Sequence, residues 1–175
     1  ALLRPPTSFF LKFSNYLKEI NSCRQENPST VIDSNTEFEQ FYQGIKVEFA
    51  RTTLHAKDGM VQSMSNNIFR LADITTRPGI NANAAFSRAV AYVGARSYLW
   101  ENALEAQLAE DYRKPAGELV ILPPMKDVTE QAALAYKFDI YATDPLYRAH
   151  VYVDANNGAI LLENRIIHRN DTAFK

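Results

Sequence analysis

The sequence is poor in cysteine and glycine, and it has no excess of charge of either sign. Cys23 is the sole cysteine, so the chain cannot form an internal disulfide or a cysteine-rich zinc module. The six glycines are scattered singly and form no glycine-rich phosphate-binding loop. With 19 basic and 20 acidic residues, the net charge is -1. This balance argues against a nucleic-acid-binding protein, which needs a concentrated basic face.

Long apolar runs are also missing. No run is long enough to span a bilayer, so we expect no membrane span. Residues 20–23, which end at Cys23, loosely resemble a lipid-attachment box. We reject lipid attachment because Lys18 and Glu19 precede the box and no apolar signal core is present. No signal peptide is visible, and we expect that Ala1 follows one that was removed.

Catalytic motifs are absent from the sequence. The histidines, His55, His150 and His168, begin no H-E-x-x-H helix, so zinc-protease chemistry is not predicted. No G-x-S-x-G motif is present, and Cys23 has no local signature of a nucleophile. His150 and Asp154 share a predicted strand face, but four residues of strand span roughly 13 Å, too far to share one metal ion. The chain itself is therefore predicted not to be an enzyme and to hold no metal or cofactor.

The composition is that of an ordinary globular protein, with 46% hydrophobic and 22% charged residues. The first periodic segment predicts a helix over residues 8–22, which Thr7 or Ser8 can cap. We expect its apolar face to pack against a sheet rather than against a partner. That face is formed by Phe9, Phe13, Tyr16, Leu17 and Ile20.

Three strands separated by turn signals are predicted next. They cover residues 37–43, 47–56 and 60–69. The Asp58-Gly59 step between the last two is a strong hairpin signal. Gly44 is expected to break or bulge the sheet between the first two. Residues 70–80 then form the predicted boundary between two domains.

The second half of the sequence predicts helices followed by strands. Asn81 or Asn83 is expected to cap a helix that Gly94 ends. A third predicted helix has Leu104 and Leu108 on its apolar side. The predicted segments are that helix over residues 100–112 and strands over residues 118–122, 133–142, 147–154 and 159–167.

A faint internal repeat relates the two halves. Gly59 and Gly158 both close predicted hairpins, and Asn157-Gly158 is the strongest two-residue turn signal in the chain. Val61 and Ile160 follow these glycines at the same offset. The fold class is therefore predicted to be α+β, with two related modules of helix plus antiparallel sheet and the helices packed on one sheet face.

Residues 33–68, DSNTEFEQFYQGIKVEFARTTLHAKDGMVQSMSNNI, resemble the fungalysin/thermolysin propeptide module. That module has a Gln-x-Tyr-x-Gly strand, a second strand, an Asp-Gly hairpin and an asparagine near its end. The matching residues are Gln40, Tyr42, Gly44, Ile45, Val47, Asp58, Gly59, Val61, Ser63 and Asn66. Lys46 stands where proline is usual and Phe49 lies near a usual small residue, departures that would alter the local bend and not the fold.

Residues 117–166 resemble the PepSY-type module that follows in the same pro-regions. The stretch AVAYVGARSYLWEN upstream resembles the helix of that module. The matching residues are Glu118, Leu119, Val120, Leu134, Ala135, Tyr136, Val151, Val153, Asp154, Ala155, Gly158 and Ile160. The resemblance implies a propeptide-like module over residues 1–74 and a PepSY or cystatin-like module over residues 75–175, with a carboxy-terminal tail that leads to a catalytic domain outside this sequence.

The two blocks, in this order, imply the pro-region of a secreted thermolysin-family zinc metalloprotease. Such a pro-region acts as an intramolecular chaperone and as an inhibitor until it is cleaved. The implied partner is the cognate catalytic domain, which would hold zinc and, as a further expected ion, calcium. The implied location of this chain is secreted or extracytoplasmic.

The resemblance also places an expected processing junction close to the carboxy-terminal strand and tail. The candidate partner-binding residues are Arg165, His168, Arg169, Asn170 and Asp171. We expect His168 or Asp171 to approach the catalytic zinc in the intact precursor. The simpler alternative is a solvated tail that leads into a linker.

Three other functions stay open. The first is a free-standing PepSY-type protein of the cell envelope that binds a peptidase or a peptide. The second is a cystatin-like fold that binds a small ligand in a pocket. The third is a small enzyme without a recognisable motif, for which a cluster of perturbed titratable groups in a cleft would be the sign.

Overall fold

The structure, a computed structural model, describes residues 23–25, 36–57, 60–71, 73–109, 112–125 and 131–167. In these residues the strands are β1 (Cys23–Gln25), β2 (Thr36–Tyr42), β3 (Ile45–Lys57), β4 (Met60–Asn67), β5 (Ser97–Tyr98), β6 (Glu118–Leu122), β7 (Ala133–Asp144), β8 (Leu146–Asp154) and β9 (Ile160–Arg165). The helices are α1 (Ala82–Val93) and α2 (Ala103–Leu108). The predicted α+β class is confirmed. The predicted helix over residues 8–22 lies outside the described residues.

The chain divides into two compact units. The described residues of Ala1–Thr76 and Val120–Ala133 belong to the first unit. Those of Arg77–Leu119 and Leu134–Lys175 belong to the second. No helix within the described ranges is both long and apolar enough to cross a membrane.

Two antiparallel hairpins form most of the first unit. Strands β2 and β3 meet at a tight turn that contains Gly44, whose φ of 85° is a left-handed conformation that favours glycine. Strands β3 and β4 pair from Lys57, opposite Met60, onward. This pairing confirms the hairpin that the Asp-Gly step predicts, although that step itself lies outside the described residues. β1 pairs with the outer edge of β2.

The long strand β3 has two different neighbours along one edge. Its last seven residues pair with β4. Near its start, Lys46 and Val47 pair with Val120 and Ile121 of β6 in the parallel direction. Val47, Val120 and Ile121 are fully buried, so this pair lies in the core of the first unit. The sequence predicted antiparallel sheets, so this parallel pair differs from the prediction.

An antiparallel sheet of β7, β8 and β9 forms the second unit, with β5 on the other edge of β7. The alternation of β7 places Leu134, Tyr136, Phe138 and Ile140 on one face, and all four are buried in the core. Helix α1 packs on β8 and β9, and its Phe86 ring lies 5.5 Å from that of Phe138. The apolar face of this sheet is therefore covered by a helix, as in other two-layer α+β folds.

Capping residues set both ends of α1. The side chain of Asn81 accepts a hydrogen bond from the amide of Ala84 at 2.8 Å. At the other end, Gly94 has a φ of 60° and its amide donates to the carbonyl of Val90 at 2.9 Å. Of the two asparagines that the sequence offered, Asn81 is therefore the cap, and the predicted helix end at Gly94 is confirmed.

The predicted helix over residues 100–112 is wrong in length and in orientation. A short 3-10 turn (Leu99–Glu101) precedes α2, which has only six residues. Leu104 and Leu108 are 70% and 82% exposed, so they do not form its packed side. Tyr112 lies within the predicted helix but contacts β7: its hydroxyl donates to the carbonyl of Asp139 and accepts from the amide of Tyr141.

The predicted two-residue turn at Asn157-Gly158 is also wrong. Residues 155–159 connect β8 to β9. The carboxylate of Asp154 accepts from the amides of Asn156 and Asn157 at 2.7 and 3.0 Å. A side chain that bonds the backbone two and three residues onward stabilises a wider loop, which Gly158 closes with a φ of 78°.

Candidate functional site

The predicted partner-binding residues lie at the end of β9 and beyond it. Arg165 is the last residue of β9. His168, Arg169, Asn170 and Asp171 lie outside the described residues, so their role stays a prediction. The site that can be built from the structure is therefore the one around Arg165.

Strand β9 places Glu163 and Arg165 on the same face of the sheet, because they are two residues apart. They lie opposite Val151 and Ala149 of β8. Tyr92 in the last turn of α1 reaches the same face, and its hydroxyl donates to Oε2 of Glu163 at 2.7 Å. Helix packing on the sheet thus brings a phenol from α1 onto a carboxylate from β9.

An ion pair holds the other oxygen of Glu163. Nε of Arg165 donates to Oε1, while the arginine side chain stays 53% exposed and the glutamate side chain is 17% exposed. Both carboxylate oxygens therefore accept a hydrogen bond, one from a phenol and one from a guanidinium. The carboxylate is fixed in position and its charge is balanced by Arg165.

Tyr147 of β8 completes the cluster. The guanidinium carbon of Arg165 lies 5.7 Å from the centre of its ring, a cation–π distance. Its hydroxyl oxygen is buried and makes no hydrogen bond of ordinary geometry with a described residue. Burial raises the pKa of Tyr147, and the nearby charge of Glu163 raises it further. The phenol therefore stays protonated well above neutral pH.

The same contacts shift the other pKa values. Burial alone raises the pKa of Glu163, but the hydrogen bonds from Arg165 and Tyr92 outweigh it, so the pKa lies below its ordinary value of 4.5. The hydrogen bond to Glu163 raises the pKa of Tyr92, and burial adds to this. At neutral pH the cluster therefore holds one negative charge, one positive charge and two neutral hydroxyls.

These side chains border a cavity of about 380 Å³. It is enclosed by the end of α1, the turn between β7 and β8, and the end of β9. Its lining residues are Tyr92, Val93, Pro145, Leu146, Tyr147, Glu163, Arg165 and Ile167. Four of them are apolar, and at its rim Tyr92 is 50% and Leu146 55% exposed. A concave site with apolar walls and a few convergent polar groups is the usual form of a binding pocket.

The cavity is suited to recognition. None of its described lining residues is a serine, cysteine or histidine, so these residues do not pair a nucleophile of those types with a histidine base. Glu163 is the one carboxylate among the described lining residues, whereas most glycosidases use two. Among the described side chains, no three His, Cys, Asp or Glu residues come together as metal ligands.

Sequence reasoning identified Arg165 and missed Tyr92, Tyr147 and Glu163. One signal was present: Glu163 and Arg165 alternate on a predicted strand, so their shared face follows from the period of two. The contribution of Tyr92 depends on how α1 packs, and the place of Tyr147 depends on the register of β8 against β9. Neither is set by local sequence.

The first unit contains residues 33–68, the segment that the sequence predicts to be a propeptide module. Gln40 on β2 is 2% exposed, and its side-chain amide donates to the carbonyl of Phe69 at 2.7 Å and accepts from the amide of Phe69 at 3.0 Å. It pairs with Phe69 as a neighbouring strand residue would. The buried glutamine of the Gln-x-Tyr-x-Gly strand therefore ties the segment after β4 to β2.

The structure shows the contacts of Lys46 and Phe49, the two residues that depart from the family pattern. Lys46, where proline is usual, forms an ion pair with the buried Glu39. Phe49 has a φ of 61°, and its carbonyl accepts from the side chain of Asn67 at 2.8 Å. A left-handed conformation is uncommon for a large side chain, and the cross-strand bond from Asn67 holds the backbone at that point.

Comparisons with known proteins agree with the predicted propeptide module at residues 33–68. Residues 33–68 match the model of the Fungalysin/Thermolysin Propeptide Motif. No curated protein matches the chain. Among solved structures, the chain is similar to the Bacillus megaterium YpeB C-terminal domain, with 13% identity over 96% of this chain and 68% of that one, and a TM-score of 0.47. Residues 33–68 of this protein therefore carry a fungalysin/thermolysin propeptide motif.

Proposed function

We propose that this chain is the pro-region of a secreted thermolysin-type zinc metalloendopeptidase, and that it acts as chaperone and inhibitor of the catalytic domain. The observation that carries the proposal is the propeptide motif over residues 33–68. In this role the chain is not itself an enzyme, and its partner is the cognate catalytic domain. Zinc and calcium belong to that domain.

The chaperone role has a physical basis. A secreted protease is commonly protected by a high unfolding barrier, and the same barrier makes unaided folding slow. A pro-region that binds the folding transition state lowers the barrier. A covalent tether gives the pro-region a high effective concentration, about millimolar for a short flexible linker, so modest contacts suffice. Cleavage of the tether removes this advantage and releases the enzyme.

The inhibitory contact is assigned to the end of β9 and the tail that follows. Arg165 offers an exposed cation there, next to a cavity that can take a partner side chain. His168 and Asp171 are proposed to lie near the catalytic zinc of the precursor. Both side-chain types bind zinc, so either one could occupy the position that the catalytic water needs.

Inhibition in trans tests this function. The intact chain, added to the catalytic domain encoded after it, should slow hydrolysis of a peptide substrate in proportion to its concentration. A version truncated after Ile167 should inhibit more weakly while keeping the same far-ultraviolet circular dichroism. If the intact chain has no effect on the protease, the inhibitory function is wrong. If truncation leaves inhibition unchanged, only the assignment of the tail is wrong.

The cavity favours one alternative, a free-standing PepSY-type protein of the cell envelope that binds a peptidase, a peptide or a small ligand. The reading frame after residue 175 separates the two. A pro-region requires an H-E-x-x-H catalytic domain in the same frame. A stop codon, or a domain without that motif, would favour the free-standing protein.

A further inference from the structure

The cavity at the end of β9 has hydrogen-bonding capacity that its own residues leave unused. Of the donors on Arg165, only Nε bonds to a described residue, the carboxylate of Glu163. The two terminal nitrogens of the guanidinium lie on a side chain that is half exposed. Glu163 is engaged at both oxygens, by Arg165 and Tyr92. The exposed polar group that the cavity offers is therefore the guanidinium of Arg165, a hydrogen-bond donor. A ligand would need an acceptor to bond with it.

The charge of the cavity argues for a neutral acceptor. The lining has one carboxylate and one guanidinium, which balance each other. Tyr92 and Val93 are the last residues of α1, so the negative end of the helix dipole lies at the cavity wall. A free carboxylate would be repelled by that helix end and by Glu163. A carbonyl group accepts the same hydrogen bonds without this cost.

Half of the lining is apolar and would pack against an apolar group of a ligand. This half is formed by Val93, Pro145, Leu146 and Ile167. The volume of about 380 Å³ is near the lower end of the 300–1,000 Å³ typical of ligand pockets. That size suits one large side chain with its backbone better than a cofactor.

The edge of β9 offers a way for a backbone to approach. No described strand pairs with the second edge of β9. The amide of Ile166 donates to the carbonyl of Arg148, so the backbone groups of Ile166 face β8. In an antiparallel pair the direction alternates, so the backbone groups of Arg165 and Glu163 face away from β8. The two residues that supply the charges of the cavity therefore also present backbone groups with which no described strand pairs.

We propose that the cavity binds an apolar side chain of an extended, uncharged peptide segment whose backbone carbonyl accepts hydrogen bonds from Arg165. The segment adds to the edge of β9 as a strand, which places every second side chain on the face that α1 covers. Main-chain hydrogen bonds supply affinity and the pocket supplies preference for an apolar residue. If the chain is a pro-region, a segment of the catalytic domain is the natural source of this peptide.

The test is a nuclear magnetic resonance titration of the full chain with N-acetyl-Leu-Leu-amide. Saturable shifts are expected at Tyr92, Leu146 and Arg165, with a dissociation constant in the range of about 1 mM, as one side chain and a few hydrogen bonds allow. N-acetyl-Ser-Ser-amide and N-acetyl-Lys-Lys-amide should bind more weakly. N-acetyl-Leu-Leu with a free carboxylate should bind no more tightly than the amide.

Variants separate this site from general surface binding. Arg165→Gln should weaken binding about tenfold, the loss of roughly one charge-assisted hydrogen bond. Arg51→Gln is the matched control, because Arg51 is also an exposed strand arginine paired with a glutamate, at 3.0 Å from Glu37. It should leave binding unchanged. Leu146→Ser should also weaken binding, and its exposure makes loss of folding unexpected.

The proposal would be overturned by the absence of a saturable shift at the cavity up to about 10 mM peptide, or by equal affinity of the Arg165→Gln and Arg51→Gln variants. Tighter binding of the peptide with a free carboxylate would also overturn it and would mean an anionic ligand. Shifts that follow protein concentration without peptide would overturn it as well and would mean that a second copy of the chain binds. The titration contains no protease, so its failure would not bear on the proposed pro-region function.

Discussion

Single side chains complete the backbone pairing of both units. Gln40 bonds to both backbone groups of Phe69, and the hydroxyl of Tyr112 bonds to backbone groups of Asp139 and Tyr141. A buried backbone group left without a partner costs about 1–3 kcal/mol. These two side chains therefore hold the backbone of Phe69 and of β7 through hydrogen bonds of their own.

Replacing Gln40 tests this role. Gln40→Leu keeps the size of the side chain but leaves the amide and carbonyl of Phe69 without their partner. We predict a loss of about 2 kcal/mol in the free energy of unfolding, measured by urea denaturation. Gln62→Leu changes an exposed glutamine on β4 and should stay within about 0.5 kcal/mol of the wild type. Equal effects of the two changes would show that the pairing of Gln40 with Phe69 contributes nothing specific.

Glu163 predicts a dependence of stability on pH. Its pKa in the folded chain lies below the ordinary value of 4.5, so its contribution is present above that value and is lost as pH falls through the folded pKa. We predict that the free energy of unfolding falls more steeply from roughly pH 5 to pH 3 in the wild type than in Glu163→Gln. Glu118→Gln, at an exposed position that starts β6, should follow the wild type. Parallel curves for wild type and Glu163→Gln would contradict the hydrogen-bonded role of Glu163.

At the scale of elements, β4 is an edge strand with few features that prevent it from pairing with a strand of another chain. Residues 62–67 are exposed on both faces of the strand, and β4 has no charged residue and no proline. Of the described strands, only β3 pairs with it. Natural edge strands are commonly guarded by lysine, proline or a bulge. Of these devices the described part of β4 has only the bulge near His55, so its edge is open to pairing with another chain.

A lysine on β4 should reduce association between chains. We predict that Ser65→Lys slows the rise of light scattering when the protein is held just below its unfolding temperature, because a charged side chain on an edge strand opposes edge-to-edge pairing. Ser87→Lys adds the same charge to the exposed side of α1 and serves as the control. Equal rates for the two variants would mean that net charge, and not the edge of β4, controls association.

Elements set by local chemistry were predictable, and those set by distant contacts were not. Asn81, Gly94 and the hairpin after Lys57 followed from capping and turn chemistry that acts within a few residues. Leu104 and Leu108 fit a helical period, yet both are exposed in the part of the chain that the structure describes, and the period alone carries no information on tertiary contacts. The parallel pair of β3 and β6 joins residues more than 70 positions apart, beyond the reach of any local signal.

The candidate site was predictable only in part. Arg165 was predicted because it lies near the end of a predicted strand, within residues 117–166, which resemble the PepSY-type module. Glu163 shares its face by the period of two and could have been inferred. Tyr92 and Tyr147 join the site through packing of α1 and the register of β8, which sequence alone does not give.

At the scale of the whole molecule, the two units carry different features. The first holds the propeptide motif at residues 33–68, and the second holds the cavity at the end of β9. Under the proposed function both serve one partner, the catalytic domain.

Refolding of the catalytic domain is the measurement that tests the central claim most directly. The catalytic domain that the proposed function assigns to the precursor is unfolded in guanidinium chloride and diluted into buffer with or without an equimolar amount of the intact chain. We predict at least about tenfold faster recovery of proteolytic activity with the chain, measured after the chain is digested away, which corresponds to a barrier lowered by about 1.4 kcal/mol. Equal recovery with the chain and with an unrelated protein at the same concentration would contradict the pro-region function.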